Sequence, residues 1–156
     1  YVMSPIASKL ESICQNWLNQ LFGLPEHTVA GFVSGTSVAT LSGLAAARFR
    51  QLQKLGWDVN QQGLFGAPRI RLILGKQTHG TVAKAISLLG FGQSSIEWVD
   101  CDDQGRMILE KLPQLDKSCI LVLQAGNVNS GAFDDFTHLC QFANHAQAWV
   151  HIDGAF

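Results

Sequence analysis

The sequence predicts an α/β fold built on a mainly parallel sheet, and three observations predict it. Short apolar runs alternate with segments of helical periodicity along most of the chain, the pattern of strand–helix–strand units. One run, residues 120–123 (Ile-Leu-Val-Leu), is apolar without interruption, as a strand buried on both faces requires. Polar or glycine-rich stretches follow several of these runs, at the strand ends where such sheets bind ligands. The chain of 156 residues, 47% hydrophobic and 15% charged, is long and apolar enough for a globular domain with a real core.

The elements follow in order. Ser4 and Pro5 open the first helix with a capping residue and a proline in the first turn. Ile6, Leu10, Ile13, Trp17 and Leu21 then recur at helical spacing until Gly23 and Pro25 stop the run. Residues 30–33 read as a short strand running into Ser34-Gly35-Thr36-Ser37, and a small-residue helix follows over residues 38–55, closed by Gly56. Residues 70–74 read as a strand, residues 80–89 as a helix closed by Gly90, and residues 96–99 as another strand. Residues 107–115 read as a short helix interrupted by Pro113. After the buried strand at 120–123, residues 135–146 are helical and residues 149–153 form the last strand. That makes about five strands, with no repeat and no low-complexity segment.

Composition narrows the function classes. A net charge of -1 calls for neither nucleic acid nor an anionic membrane surface as partner. No uncharged apolar stretch reaches the roughly 18 residues of a membrane span, and no signal peptide is visible. Cys14, Cys101, Cys119 and Cys140 show no C-x-x-C or zinc-site spacing, and each reads as a small core residue. The expectation is a reduced, cytoplasmic protein without a metal site. The chain begins at Tyr1 and stops at Phe156, directly after a strand-like run, and both ends read as cuts through a larger protein.

Four segments carry candidate chemistry. Gly35-Thr36-Ser37 stands at a helix start, where unpaired N–H groups and the helix dipole form an anion site; helix capping by Thr36 or Ser37 is the plainer alternative. His79 follows a strand at the next helix start and can stack on a flat ligand, handle a proton, or merely line a loop. Residues 125–131, rich in Ala, Gly and Asn, follow the buried strand and form either ligand contacts or an ordinary turn. Asp153 ends an apolar strand, where a carboxylate is costly to bury unless paired, and Gly154 and Ala155 leave space beside it for something flat. A turn or cap carboxylate is the alternative. The segment at 34–40 matches neither the P-loop nor the dinucleotide fingerprint.

In order, the chain carries Ser-Pro-x-x-x-x-Leu-Glu from Ser4 to Glu11, Trp17-Leu18, Gly23-Leu24-Pro25 and Gly31-Phe32-Val33-Ser34-Gly35-Thr36. Ala45-Ala46-Ala47-Arg48, His79 with Lys84-Ala85, a Gly-Ala-Phe-Asp run ending at Asp134, and His151-x-Asp153-x-Ala155 complete the set. This ordered set resembles the group II pyridoxal-phosphate-dependent amino-acid decarboxylases, which include the aromatic amino acid and glutamate decarboxylases. The resemblance implies a partial aspartate-aminotransferase-like large domain of fold type I. Residues 1–26 would form a helical lead-in and residues 27–156 an incomplete cofactor-binding domain.

It also implies roles. Gly35, Thr36 and Ser37 match the phosphate loop, and His79 matches the histidine that stacks on the pyridine ring near the reacting bonds. Asp153 matches the aspartate paired with the ring nitrogen, and Ala155 the small residue against the opposite face. Asn127 stands where the family usually has a threonine near the cofactor. The family's Schiff-base lysine has no counterpart in the sequence, since Lys76 and Lys84 lie in the wrong segments. The implied activity is decarboxylation of an L-amino acid by a homodimeric parent enzyme, the present chain being inactive alone. Within the same fold, transamination, desulfuration or retro-aldol cleavage is the alternative; outside it, a non-catalytic binding or assembly module.

Overall fold

The computed structural model describes residues 3–155; Tyr1 and Phe156, the two chain ends read above as cuts, lie outside the described residues. The chain divides into two compact units between Ser34 and Gly35.

In the first unit, helix α1 spans Pro5–Leu21, with Pro5 in its first turn and Gly23 past its end at φ +61°. Ser4 occupies the capping position, yet its side chain makes no capping bond. The chain then folds back along the helix. The Asn19 side-chain amide donates to the Thr28 carbonyl at 2.8 Å, and the Ala30 N–H donates to the Gln15 side-chain oxygen at 3.1 Å. Residues 30–33 are therefore not the strand that was expected. An apolar run becomes a strand only when another strand takes its backbone bonds, and here Ala30 bonds a side chain instead. Ile6, Leu10, Trp17 and Leu21 are each more than half exposed, so the apolar periodicity of α1 marks a helix without marking a core.

The second unit holds α2 (Thr36–Lys54), α3 (Val59–Gln62), β1 (Arg71–Gly75), α4 (Gly80–Leu88), β2 (Ile96–Val99), β3 (Cys119–Gln124), α5 (Phe136–His145) and β4 (Trp149–Asp153). The strands form one sheet in the order β2-β1-β3-β4, and every pairing is parallel. Period-two alternation sorts the side chains. Leu72, Leu74, Ile120 and Val122 pack with Leu44, Val82 and Ile86 of α2 and α4. Ile73, Leu121 and Leu123 pack on the opposite face with Leu139 and Ala143 of α5. Strand β3 is buried along its whole length, which is why it reads as an unbroken apolar run.

Polar contacts set the register of this core. Gln51 of α2 is fully buried, and its side-chain NH2 group lies 2.9 Å, 3.2 Å and 3.1 Å from the carbonyls of Lys117, Cys119 and Gln147. Arg71 on β1 and Glu97 on β2 make two 2.7 Å bonds, and the guanidinium holds the Glu97 carboxyl below the usual range. All four cysteines are free, but only Cys119 is buried; Cys14, Cys101 and Cys140 are partly exposed, so the core reading holds for one of them.

The helix expected over residues 107–115 is a single 3-10 turn, Leu109–Lys111. Met107 instead bridges Cys101 in antiparallel fashion. The Asp102 carboxylate accepts the Gln104 and Arg106 N–H groups at 2.9 Å and 2.8 Å, a turn that competes with helix, and Pro113 prevents extension. The short helix α3 was not anticipated; the Asp58 carboxylate caps it by accepting from the Asn60 N–H. No helix among the described residues is long and apolar enough to cross a membrane.

Candidate active site

The chain leaves β1 for β2 on one side of the sheet, while β3 and β4 lie on the other. At such a reversal the loops after neighbouring strands diverge and open a crevice at their carboxyl ends. A cavity with about 620 Å³ of empty space, open to solvent, lies there. Thr36, His79, Asp153 and Ala155 line it, together with Thr81, Gln124, Gly126 and Val128. Gly35 and Ser37 flank Thr36 without lining the cavity.

Helix α2 begins at Thr36, two residues earlier than expected, and Gly35 precedes it with extended backbone at φ 165°. Thr36 and Ser37 therefore belong to the first turn, and neither caps the helix. The Val38 and Ala39 N–H groups turn back to the Gly35 carbonyl, whereas those of Thr36 and Ser37 find no protein acceptor among the described residues. Free N–H groups at the positive end of a helix dipole are what an anion binds.

His79 caps α4. Its Nδ1 accepts the Thr81 N–H at 3.3 Å and lies 2.8 Å from the Thr81 hydroxyl. The capping role and the cavity position coexist, and an accepting Nδ1 leaves the proton of the neutral ring on Nε2.

Asp153 is the last residue of β4, paired with Gln124 of β3, and its carbonyl accepts the Ala125 N–H at 2.8 Å. Its carboxylate accepts only the Ala155 N–H, at 3.2 Å, and pairs with no cation among the described residues. A half-buried carboxylate beside a cavity thus keeps acceptor capacity for a ligand.

Two residues earlier, on the same face of β4, stands His151. Its ring fills the space left by the missing side chain of Gly43, where a Cβ would come within 2.9 Å of it, and its Nε2 has no partner. Burial pushes its pKa below the ordinary value, with the Asp153 charge opposing. A histidine lowered in the fold contributes stability that is full above its unfolded value and lost as pH falls through that value toward the folded one. Unfolding by urea is expected to become easier as pH falls below about 6.5, the ordinary histidine value, and His151→Gln is expected to flatten that dependence. Parallel pH profiles for the two proteins would remove His151 as the cause.

The loop after β3 is held from inside. Asp134, 7% exposed, accepts the N–H groups of Met107 and Gln124, each at 2.7 Å, and burial pushes its carboxyl up against those two bonds. Asn127, 2% exposed, is not among the residues that line the cavity. Its side-chain oxygen accepts the Asn129 and Ser130 N–H groups at 2.9 Å and 3.3 Å, and its NH2 donates to Gln77 Oε1 at 3.3 Å. Gly126 and Val128 come from the loop at 125–131 read as ligand contacts or a turn, whereas Thr81 and Gln124 were not anticipated as lining residues. Gln124 had a usable signal, since it stands at the carboxyl end of the buried strand. No group of three or more His, Cys, Asp or Glu among the described residues is arranged to hold a metal.

Comparison with known proteins gives one consistent result. The family described as "Pyridoxal-dependent decarboxylase conserved domain" matches residues 1–156. The aromatic-L-amino-acid decarboxylase of Bacillus atrophaeus is 29% identical over 159 residues, which cover 96% of this chain and 31% of that protein. The acidic amino acid decarboxylase GADL1 of Homo sapiens is 26% identical over 164 residues, 100% of this chain and 30% of that one. Among solved structures, the glutamate decarboxylase domain of a diaminobutyrate-pyruvate transaminase and L-2,4-diaminobutyrate decarboxylase from Vibrio parahaemolyticus superposes with a TM-score of 0.86 at 28% identity, over 96% of this chain and 35% of that one. Oryza sativa TDC with PLP and tryptamine follows at 0.81 and 26%, over 98% and 34%. The architecture is the α/β fold type I of pyridoxal-phosphate enzymes, and the chain spans about a third of the length of these relatives.

Proposed function

Because the chain belongs to the pyridoxal-dependent decarboxylase family, we propose that the protein it forms part of removes the carboxylate of an L-amino acid, using pyridoxal phosphate bound at the carboxyl ends of β1, β3 and β4. The observation that carries this reading is the carboxylate of Asp153, without a protein cation among the described residues, in one cavity with an imidazole and an open helix N-terminus.

These residues fit the cofactor. The free N–H groups of Thr36 and Ser37, with Gly35 leaving open space beside them, suit its phosphate. Ala155, the small residue beside Asp153, suits one face of a flat ring, and His79 the other. Asp153 would hold a proton at the pyridine nitrogen, and the Nε2–H of His79 is free to donate among the described residues. When bound, the cofactor supplies an electron sink for the pair left as the Cα–carboxylate bond breaks. No lysine lines the cavity, so one from the rest of the protein completes the site on this reading, and residues 1–156 alone are inactive. The reading extends to a homodimer in a reducing, cytoplasmic setting. Four free cysteines and the exposed apolar residues of α1 support it.

The test is a panel of L-amino acids offered to the full-length protein with and without pyridoxal phosphate. The expected result is cofactor-dependent release of one CO2 for each amine formed. Uptake of the cofactor with a keto acid as product would replace decarboxylation by transamination. No uptake at all would sink the cofactor site.

A further inference from the structure

We infer that Asn127 is a positioning residue: buried, and between the cavity-lining Gly126 and Val128 in sequence, it couples the loop that carries His79 to the loop after β3. The observation is a polar contact between the loops after β1 and β3, against which the loop after β2 packs closely. Asn127 Oδ1 is occupied by the backbone N–H groups of Asn129 and Ser130, so the NH2 group has to face the other way, toward Gln77 Oε1 at 3.3 Å. Gln77 lies two residues before His79.

The third loop closes the contact from behind. Gly105, at φ +84°, is in the left-handed region that suits glycine, and a Cβ there would overlap the Asn127 amide and come 2.6 Å from Gln77 Oε1. Glycine at position 105 suits the left-handed backbone and leaves room for the ends of both side chains as they stand. The neighbouring Gln104 carbonyl accepts the Ser130 hydroxyl at 2.5 Å, which ties the tip of the β3 loop to the same turn. The first loop is anchored independently, by the Lys76 N–H to the Val99 carbonyl at 2.9 Å.

A threonine, the residue the family resemblance puts at this position, has a single polar side-chain atom. Its hydroxyl accepts and donates from one atom, whereas the amide accepts at Oδ1 and donates from an NH2 group on the opposite side. Only the Asn127 end of this contact is buried, and Gln77 reaches it from an exposed loop, so the bond ties that loop to a fixed point in the interior. A stacking imidazole needs such a fixed point in the chain that carries it. The coupling stands on these contacts alone; its consequence for the cofactor rests on the function proposed above.

The test uses the full-length protein. In its cofactor-free form, amide hydrogen exchange is followed in residues 76–80 and 126–132 for Gln77→Met, which keeps the length and removes the acceptor, and for Asn127→Ala. Each variant is expected to speed exchange about fivefold in the other residue's loop as well as its own. Asn127→Asp is expected to stay near wild type, since Gln77 can turn its amide and donate. Both disruptive variants are expected to raise the pyridoxal phosphate Kd about fivefold in an absorbance titration. Faster exchange confined to the mutated loop would overturn the coupling. Coupled exchange with an unchanged Kd would overturn the positioning role. A wild-type protein that takes up no cofactor would instead refute the proposed function, while the exchange data still decide the coupling.

Discussion

Replacing Asp153 with asparagine is expected to lower kcat of the cofactor-loaded, full-length protein by about 100-fold. Asparagine keeps the size of the side chain and an oxygen for the Ala155 N–H, the only bond the carboxylate makes among the described residues. What it removes is the charge. A neutral amide cannot hold a proton on a pyridine nitrogen, and a hydrogen bond to a charged group is worth about 1.5–3 kcal/mol, or about 10–150-fold in rate. Because Asp153 pairs with Gln124 through the backbone, the strand itself does not depend on the carboxylate. The expected signature is therefore a large loss of turnover and altered ring protonation in the absorbance spectrum, with little change in the urea midpoint. Turnover within twofold of wild type would return Asp153 to the role of a turn carboxylate.

Asp134→Ala is expected to cost about 2–5 kcal/mol of stability. The alanine strands two buried N–H groups, those of Met107 and Gln124, and each orphaned donor costs about 1–3 kcal/mol. Asp134→Asn should cost less, since one amide oxygen still serves one donor while its NH2 group meets the other. Urea unfolding of the two variants checks the order, and a loss under about 1 kcal/mol for alanine would mean that the loops close without the carboxylate. Asp134 also shows how a residue outside the cavity shapes it. The Asp134 N–H donates to the Gln124 carbonyl while the carboxylate takes the Gln124 N–H, so both backbone groups of a lining residue are held from one side.

Asp134 stood in the sequence as the end of a Gly-Ala-Phe-Asp run, and nothing in its neighbourhood distinguished it from Asp135, which caps α5 and is exposed. The two neighbours differ only in what lies opposite them in space. Asn127 makes the same point from the other side. An Asn in a Gly-rich loop at a strand's carboxyl end has the composition of a ligand contact, yet its amide serves the loop's own backbone and a glutamine fifty positions away.

The sequence by itself determined which segments become β1, β2, β3, β4, α4 and α5, because a twofold or 3.6-fold repeat and an unbroken buried run are local patterns that survive in one dimension. It also put His79 and Asp153 after apolar strands, at the ends where a parallel sheet opens to ligands. Only the tertiary structure decided the rest. It denied residues 30–33 a strand, reduced the expected helix at 107–115 to one 3-10 turn, and engaged the Asn127 amide with its own loop. The physical reason is common to all three. An apolar run, a short helix or a loop amide has several outcomes of similar energy, and the choice among them belongs to whichever hydrogen-bond partner the fold brings within reach.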